Sequence, residues 1–366
     1  MRILAIQDYL RVGGTESQFL DLTARWSDEG HEVQRLVFRR GGGLFPQSQT
    51  RGPAPEFLQP FSTPWNWWSP GLMRAIRKFQ PERVIAFGRN AHWSLGRKFR
   101  QERIHGLVAT MRTGRPLPGG YRRVLASAEA VVTNSAFASR LAEKEGAAAD
   151  RVRVIENGCR LAGIPLPSRR EARDDLGVGE DECFLLCLGS FVPGKAQNRF
   201  LKIWQEVDPQ ARKRIRLWFV GDGPRRSAVE SAFQSLPDAN RVRFWGSRSD
   251  PEKFLAAADG LASVSQEESS PNALVEGLWS GVPVVATRCA GVEELVSEEA
   301  GGCLLEDSPE GETQLAAWIS SLPGNASSLK ARSEKYQSQA QSRFDPTIRA
   351  REYLNLFQSL GRFPSL

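Results

Sequence analysis

The amino-acid sequence predicts an α/β protein made of two doubly wound, parallel-sheet domains. Its 366 residues exceed what a single hydrophobic core usually supports. Short apolar runs typical of strands alternate with helical patterns along both halves, which favours parallel sheets covered by helices on both faces. Between the halves, residues 161–181 carry two prolines and many charges and interrupt this alternation, so we interpret them as the interdomain linker.

The predicted elements follow one another in the same way in both halves. Strands are expected near residues 2–6, 32–38, 83–87, 106–111, 130–133 and 152–155, and then near 183–188, 215–220, 241–245, 260–264, 282–286 and 301–305. The Gly- and Pro-rich stretch 41–64 is predicted to be a loop. Beyond Asp307 the pattern is helical, and Asp345-Pro346 is a typical start for a final helix that ends near Leu360. We therefore place the first domain at 1–165 and the second at 166–340.

Composition narrows the class of partner. The formal net charge of +7 and a pI near 9.4 favour nucleic acid, anionic lipid or a phosphorylated ligand. Nucleic acid is the weakest of the three, since no zinc-finger spacing or RNA-recognition motif is present. No apolar run reaches the roughly 18–20 residues that span a bilayer. The N-terminus reads as a buried strand rather than a signal peptide, and five cysteines without metal-binding spacing favour a reducing cytosol.

The stretch Glu267–Thr287 is the most informative about function. Ser269 or Ser270 is predicted to cap a helix that begins at Pro271, and Gly281 is predicted to end it before a buried strand at 282–286. A helix N-terminus carries roughly half a positive charge and binds anions. The residues expected to line this anion site are Ser270, Pro271, Asn272, Ala273 and Leu274. Glu268 precedes the helix and Glu276 lies within it, so the segment suits a ligand with phosphates between two hydroxyl-bearing groups, such as a nucleotide sugar.

This segment resembles the donor-site signature of the retaining glycosyltransferases of family four. The resemblance implies that Glu268 contacts the donor sugar and Glu276 the ribose. It also implies the GT-B fold, in which two Rossmann-like domains face each other across a cleft. The second domain would bind the donor and the first the acceptor, with residues 341–366 packing back on the first. The alternative interpretation of the two glutamates is an amphipathic surface helix with solvated carboxylates.

Further positions match the family pattern in part. Gly13 and Gly14, after the first strand, would border the donor diphosphate, and Lys195, after the strand 183–188, would contact it. Ser190 stands where the family usually has a phosphate-binding Arg, which removes a bidentate clamp. The remaining candidates are Gly221, whose turn would approach the nucleoside, and Arg248, beside the base. Ordinary β–α turns and solvated cations explain the same residues structurally.

Arg112 is a second departure, because many relatives have a His at that strand end. The Arg could reach the donor phosphates, bind an anionic acceptor, or simply lie at the surface. Another open assignment is the segment 64–78, which mixes tryptophans with Arg74, Arg77 and Lys78. It could contact an anionic bilayer, stack on an acceptor sugar, or pack its tryptophans on the first domain.

The expected activity is retaining, metal-independent transfer of a hexose from a nucleoside diphosphate sugar to an acceptor hydroxyl, without a cofactor. A UDP-sugar is favoured, and the expected role is cell-surface polysaccharide or glycolipid synthesis in the cytoplasm, at the inner face of the cell membrane. Ser190 and Arg112 keep open a protein that binds a nucleotide sugar without turnover. A nicotinamide-dependent oxidoreductase is the third alternative, and the absence of a G-x-G-x-x-G after a strand argues against it.

Overall fold

The computed structural model describes residues 1–61, 63, 65, 68–98, 105–112, 117, 119–298 and 302–361. The chain divides into two compact units. The first unit comprises Met1–Arg160 and Asp345–Leu366, and the second comprises Leu161–Phe344. The division falls five residues before the predicted one, at the point where the chain leaves its seventh strand and the loop after it.

The strands, numbered in chain order, form two sheets. They are β1 Arg2–Gln7, β2 Glu32–Val37, β3 Pro55–Phe57, β4 Arg83–Ala86, β5 Leu107–Met111, β6 Ala130–Thr133, β7 Val152–Val154, β8 Cys183–Leu188, β9 Ile215–Val220, β10 Val242–Phe244, β11 Gly260–Ser263, β12 Val284–Thr287 and β13 Gly302–Leu305. Each strand of the sequence prediction is present within about two residues.

The helices lie between and after these strands. They are α1 Gly14–Asp28, α2 Phe45–Thr50, α3 Leu72–Phe79, α4 Arg89–Lys98, α5 Gly119–Ser127, α6 Ala136–Lys144, α7 Arg169–Leu176, α8 Arg199–Glu206, α9 Pro209–Arg212, α10 Arg226–Gln234, α11 Pro251–Ala257, α12 Asn272–Trp279, α13 Pro309–Arg343 and α14 Pro346–Ser359. Among the described residues, no helix is long and apolar enough to cross a bilayer.

Both sheets are parallel, as the alternating pattern predicts. The first has the strand order β3-β2-β1-β4-β5-β6-β7 and the second the order β10-β9-β8-β11-β12-β13. The direction of winding therefore reverses between β1 and β4 in one unit and between β8 and β11 in the other. Ligands of open α/β sheets bind beyond the carboxyl ends of the strands at such switch points.

The prediction of a plain loop at 41–64 is wrong, since this stretch contains α2 and β3. Pro55 obscures β3 in the sequence, yet proline is tolerated because β3 is an edge strand. The buried Arg35 guanidinium organises the region by donating to the carbonyls of Arg51 (2.6 Å) and Pro53 (2.9 Å). Such long-range contacts leave no periodic signal in the sequence.

The predicted linker 161–181 is too long, because its middle part folds as α7. The Ser168 side chain caps this helix by accepting the Glu171 N–H. The Glu171 carboxylate in turn accepts the Ser168 N–H, which completes a capping box. Arg173 pairs with Asp259 across the second unit at 3.1 Å. The charges that we interpreted as linker thus hold a helix of the second unit in place.

Helix α14 packs on the first unit, as the family resemblance implies. The Trp26 ring of α1 lies 5.6 Å from the Tyr353 ring and 5.4 Å from the Phe357 ring, centroid to centroid. Arg83 donates from Nε to the Phe357 carbonyl at 2.8 Å. The predicted Asp345 cap and Pro346 first position are both confirmed.

Candidate functional site

At the switch point of the second unit, the loop after β8 meets the loop after β11. The Gly194 carbonyl accepts hydrogen bonds from the backbone N–H groups of Gln266 (2.9 Å) and Glu267 (3.2 Å). The Lys195 ammonium forms an ion pair with the Glu268 carboxylate, and both side chains are largely shielded from solvent. Two residues predicted to share one function, 73 positions apart in sequence, are therefore direct neighbours.

Helix α12 begins just after Glu268, but its start differs from the prediction. The N-cap is Pro271 itself, so the expected capping role of Ser269 or Ser270 is wrong. Pro271 has no polar side chain to accept a bond from the first turn; its carbonyl accepts the N–H of Leu274 at 3.0 Å. The positive end of α12 therefore lacks a side-chain cap from its own N-cap residue.

Glu276 lies in the second turn of α12 and is only 2% exposed. A glutamate is rarely so buried unless a specific arrangement requires it. The neighbouring Gly277 keeps the helix close to the sheet, because a Cβ there would approach the Leu261 side chain to 2.5 Å. Glu276 is consequently a fixed part of the helix–sheet layer. The alternative of a solvated carboxylate on a surface helix is wrong for this residue.

A third loop, after β12, supports the same place and was missed by the sequence analysis. A Cβ on Gly291 would lie 2.3 Å from the Ser269 carbonyl oxygen, so only glycine fits this contact. Burial, together with the Glu268 carboxylate, raises the pKa of Cys289 to about 11, which keeps its thiol neutral. The only signal for this loop was its place after a buried strand, at the same sheet edge as Glu268.

The ends of β8 and β9 carry the other second-unit candidates. Gly221 has a φ of 144°, and a Cβ there would lie 1.9 Å from the Gly189 carbonyl oxygen, so a glycine is required. Ser190 is exposed, and its carbonyl accepts from Gln197 Nε2 at 3.0 Å. Arg248 makes two 2.8 Å bonds to the Asp250 carboxylate within its own turn. Nucleotide binding by these residues stays a prediction.

In the first unit, Gly13 caps α1 and Gly14 opens it. The Glu16 carboxylate lies against Gly13, only 2.5 Å from where a Cβ would be, and accepts from Arg11 Nε at 2.7 Å. An internal acid thus occupies the backbone turn that was expected to border a diphosphate. The role of Gly13 and Gly14 in donor binding stays a prediction.

Arg112 is held by neighbours within the first unit. Its guanidinium donates to the Asn157 side chain and, at 2.8 Å, to the Tyr353 hydroxyl, and lies 5.6 Å from the Phe87 ring. Arg112 therefore ties the end of β5 to α14. Its contact with phosphate or acceptor stays a prediction.

The switch point of the first unit is filled by its own side chains. Asp8, after β1, accepts the N–H groups of Asn90 (2.8 Å) and Ala91 (2.6 Å) at the start of α4. Burial removes the Asp8 carboxylate from water and raises its pKa to about 6, although these hydrogen bonds act to lower it. His92 is fully buried, and burial lowers its pKa to about 4. Since His92 Nε2 accepts the Thr110 N–H at 3.1 Å, the neutral ring carries its proton on Nδ1, 2.6 Å from the Gly88 carbonyl.

Metal-binding side chains are not grouped in the described part of the chain. No cluster of three or more His, Cys, Asp or Glu residues there is placed to hold a metal ion. The Glu268 carboxylate is paired with the Lys195 ammonium.

Two family models match the chain, one over most of each unit. Residues 12–162 match the model described as Glycosyltransferase Family 4, and residues 182–322 match the one described as Glycosyl transferases group 1. Among curated proteins, the lipopolysaccharide core biosynthesis glycosyltransferase LpsD of Rhizobium meliloti (strain 1021) is 26% identical over 353 residues. The alignment spans 94% of this chain and 95% of LpsD.

Solved structures share the fold over almost the whole chain. HepE from Anabaena, in complex with UDP and glucose, matches with a TM-score of 0.82 and 22% identity, covering 98% of this chain and 100% of HepE. WaaG, a glycosyltransferase involved in lipopolysaccharide biosynthesis, matches with a TM-score of 0.75 and 18% identity, over 98% of this chain and 100% of WaaG. These likenesses confirm the predicted two-domain α/β fold class.

Proposed function

The chain belongs to glycosyltransferase family four and has its GT-B fold, and we propose that it transfers a hexose, with retention, from a UDP-sugar to an acceptor hydroxyl. The observation that carries this proposal is the Lys195–Glu268 ion pair at the β8/β11 switch point, directly before the start of α12. The complex of HepE with UDP and glucose supports the choice of donor. The acceptor belongs to a cell-surface polysaccharide or glycolipid, as the name of LpsD suggests.

In this proposal the second unit binds the donor and stabilises the leaving group. Charge builds on the departing diphosphate, and Lys195 and the positive end of α12 offset that charge. Glu268 orients the sugar and Glu276 holds the ribose hydroxyls. The acceptor attacks from the face that the diphosphate leaves, and a phosphate oxygen takes the acceptor's proton. Preorganised donors of this kind are worth about 3–4 kcal/mol each in the transition state.

The experiment that tests the proposal separates the two glutamates by calorimetric titration with UDP and with UDP-glucose. Glu276→Ala should weaken binding of both ligands, because a charge-assisted hydrogen bond contributes about 1.5–3 kcal/mol. Glu268→Ala should leave UDP affinity unchanged or slightly improved, since it frees Lys195 for the diphosphate, yet it should severely reduce turnover. The control is Glu298→Ala, which removes an exposed carboxylate of the same unit.

Equal losses of UDP affinity in the Glu268 and Glu276 variants would show that Glu268 does not contact the donor sugar as proposed. Full activity of Glu268→Ala would remove this residue from the reaction. No binding of any nucleoside diphosphate by the unmodified protein would overturn the proposed function itself.

A second candidate function, nucleotide-sugar binding without turnover, is favoured by Ser190. The exposed serine replaces the expected Arg at the carboxyl end of β8. A single-turnover assay with bound, labelled UDP-glucose and a panel of acceptors distinguishes the two. Transfer or slow hydrolysis of the sugar, lost in the Glu268 variant, supports the enzyme; an intact donor after prolonged incubation supports the binding protein.

We further propose peripheral contact with an anionic membrane through the outer face of α3, where Arg74, Arg77 and Lys78 are all exposed. Of the tryptophan segment assigned to this contact, residues 64, 66 and 67 lie outside the described part of the chain. Flotation with anionic vesicles at low and high salt is the test, and replacing the three cations by alanine should abolish binding. Absence of binding at low salt would contradict the proposal.

A further inference from the structure

The loop that follows β3 exposes large aromatic side chains. Phe61 is 63% exposed and Trp65 is 54% exposed, whereas most of the bulky hydrophobic side chains of this unit are buried. The rings of Phe61 and Trp65 lie 5.7 and 6.3 Å from the Trp68 ring, so the three form one cluster, which we call the aromatic platform. A grouped exposure of this kind marks a binding surface more often than isolated exposed residues do.

The aromatic platform is held in place by a buried amide. Gln59 is 1% exposed, and its Nε2 donates to the carbonyls of Trp65 (3.0 Å) and Trp68 (2.7 Å). Its Oε1 accepts from the Thr63 hydroxyl at 3.3 Å. A buried side chain that bonds to Thr63, Trp65 and Trp68 holds these three residues together, so the Trp65 and Trp68 rings are presented in a defined arrangement.

A half-buried cation adjoins the platform. The Arg39 guanidinium stacks 4.0 Å above the Tyr9 ring and donates from Nη1 to the Thr63 carbonyl at 3.2 Å. Its Nε has no hydrogen-bond partner among the described residues. Because Nε is itself buried, the donors that can serve a ligand are those of the two terminal nitrogens, and this planar pair suits a carboxylate or phosphate.

The position of these groups fits a ligand site. Tyr9, Arg39 and the aromatic platform follow β1, β2 and β3, which are adjacent in the sheet. All three connections leave the carboxyl edge of the sheet, where open α/β sheets bind ligands. Ring faces that cover the apolar face of a sugar, beside a group that binds an anion, define the chemistry of an acidic saccharide.

We infer that this edge of the first unit binds a saccharide that carries a phosphate or carboxylate group, with the sugar on Trp65 and Phe61 and the acid on Arg39. The inference rests on the proposed function, in which this saccharide is the acceptor. Arg39 is fixed between the Tyr9 ring and the Thr63 carbonyl. Binding of an acidic sugar uses a guanidinium fixed in this way, whereas insertion of the aromatic rings into a lipid bilayer does not require it. We therefore favour a saccharide over lipid as the ligand.

The test is a ligand-observed NMR titration of the full chain with three disaccharides of glucose: one neutral, one ending in glucuronate and one bearing a 6-phosphate. We expect at least tenfold tighter binding of one or both acidic forms, and the preferred one identifies the acid. Trp65→Ala should weaken binding of all three forms by about tenfold. Arg39→Gln should remove only the preference for the acidic forms, and Arg39→Lys should restore part of it.

Arg40→Gln is the matched control, since Arg40 is the exposed neighbour that lies over Phe57, 5.4 Å from its ring. UDP affinity, measured in parallel, should stay unchanged in every variant, which separates failure of this inference from failure of the proposed function. Equal affinity for neutral and acidic disaccharides, or an unaltered preference in Arg39→Gln, would overturn the inference. Loss of vesicle binding in Trp65→Ala with saccharide affinity intact would also overturn it and assign the platform to lipid.

Discussion

The two switch points of this protein have the same topology and opposite chemistry. In the first unit, Asp8 from β1 occupies the start of α4 with its own carboxylate. In the second, the corresponding loop contributes Lys195, and α12 starts at a proline that has no side chain to cap it. One switch point therefore places a single carboxylate against a helix start, whereas the other places the Lys195–Glu268 ion pair beside a helix whose N-cap residue has no polar side chain. The proposed function uses this difference, because it places the nucleotide at the second switch point alone.

The largest effect is expected at the second switch point. Lys195→Ala should lower the transfer rate about a hundredfold or more while the fold is retained, because a charge that offsets the leaving diphosphate is lost. Steady-state kinetics with UDP-glucose measures it, with Lys202→Ala on the exposed side of α8 as control. A transfer rate close to that of the unmodified protein would show that Lys195 does not act at the second switch point, and the proposed chemical difference between the two switch points would be wrong.

A smaller effect is expected from acid on the first switch point. The folded pKa of His92 is lowered from 6.5 to about 4, so this residue stabilises the fold above pH 6.5, and its contribution is lost as the pH falls towards 4. The full shift corresponds to about 3 kcal/mol. His92→Gln should therefore show a shallower loss of thermal stability between pH 7 and pH 5 than the unmodified protein does.

Asp8 titrates nearby with the opposite sign. Its folded pKa of about 6 exceeds the ordinary value of 3.8, so the protonated form favours folding as the pH falls through that window. Asp8 is present both in the unmodified protein and in the His92→Gln variant. Its contribution therefore cancels when the melting temperatures of these two proteins are compared at each pH. Parallel pH profiles of the two proteins would show that His92 titrates normally and that the first switch point is not tightly packed.

The smallest effect concerns the closing carboxylate. Asp8→Ala should destabilise the fold by about 1 kcal/mol, the usual value of a lost helix cap, and Asp8→Asn by less because the amide oxygen still accepts. UDP affinity should not change in either variant. A clear loss of UDP affinity on removal of Asp8 would make the first switch point part of the nucleotide site and erase the distinction drawn between the two.

Local sequence patterns predicted the strands, the family and the helix that carries Glu276 after Glu268. They could do so because the signals for a buried strand or for a helix end depend on residues that are close together in the sequence. They did not predict the Lys195–Glu268 contact, the fit of Gly291 against Ser269, or the carboxylate of Asp8 at α4. Each of these joins loops far apart in sequence, and only the order of the strands in the sheet brings them together. The mistaken cap of α12 has another cause: a serine is a good cap in general, but here the proline after it takes the N-cap position.

The first unit is discontinuous in the chain, and this shapes how the protein is made. Helix α14, which shields Trp26 and binds Arg83, leaves the ribosome only after the whole second unit has been synthesised. The second unit is continuous, so all of its residues are available as soon as Phe344 has been synthesised, whereas the first unit lacks the cover of α14 over Trp26 until α14 follows. Closing a loop of that length costs little more entropy than closing a short one, so the delay is kinetic. During synthesis the earlier half is the later to mature, and the exposed surface of α1 is where a chaperone has most to protect.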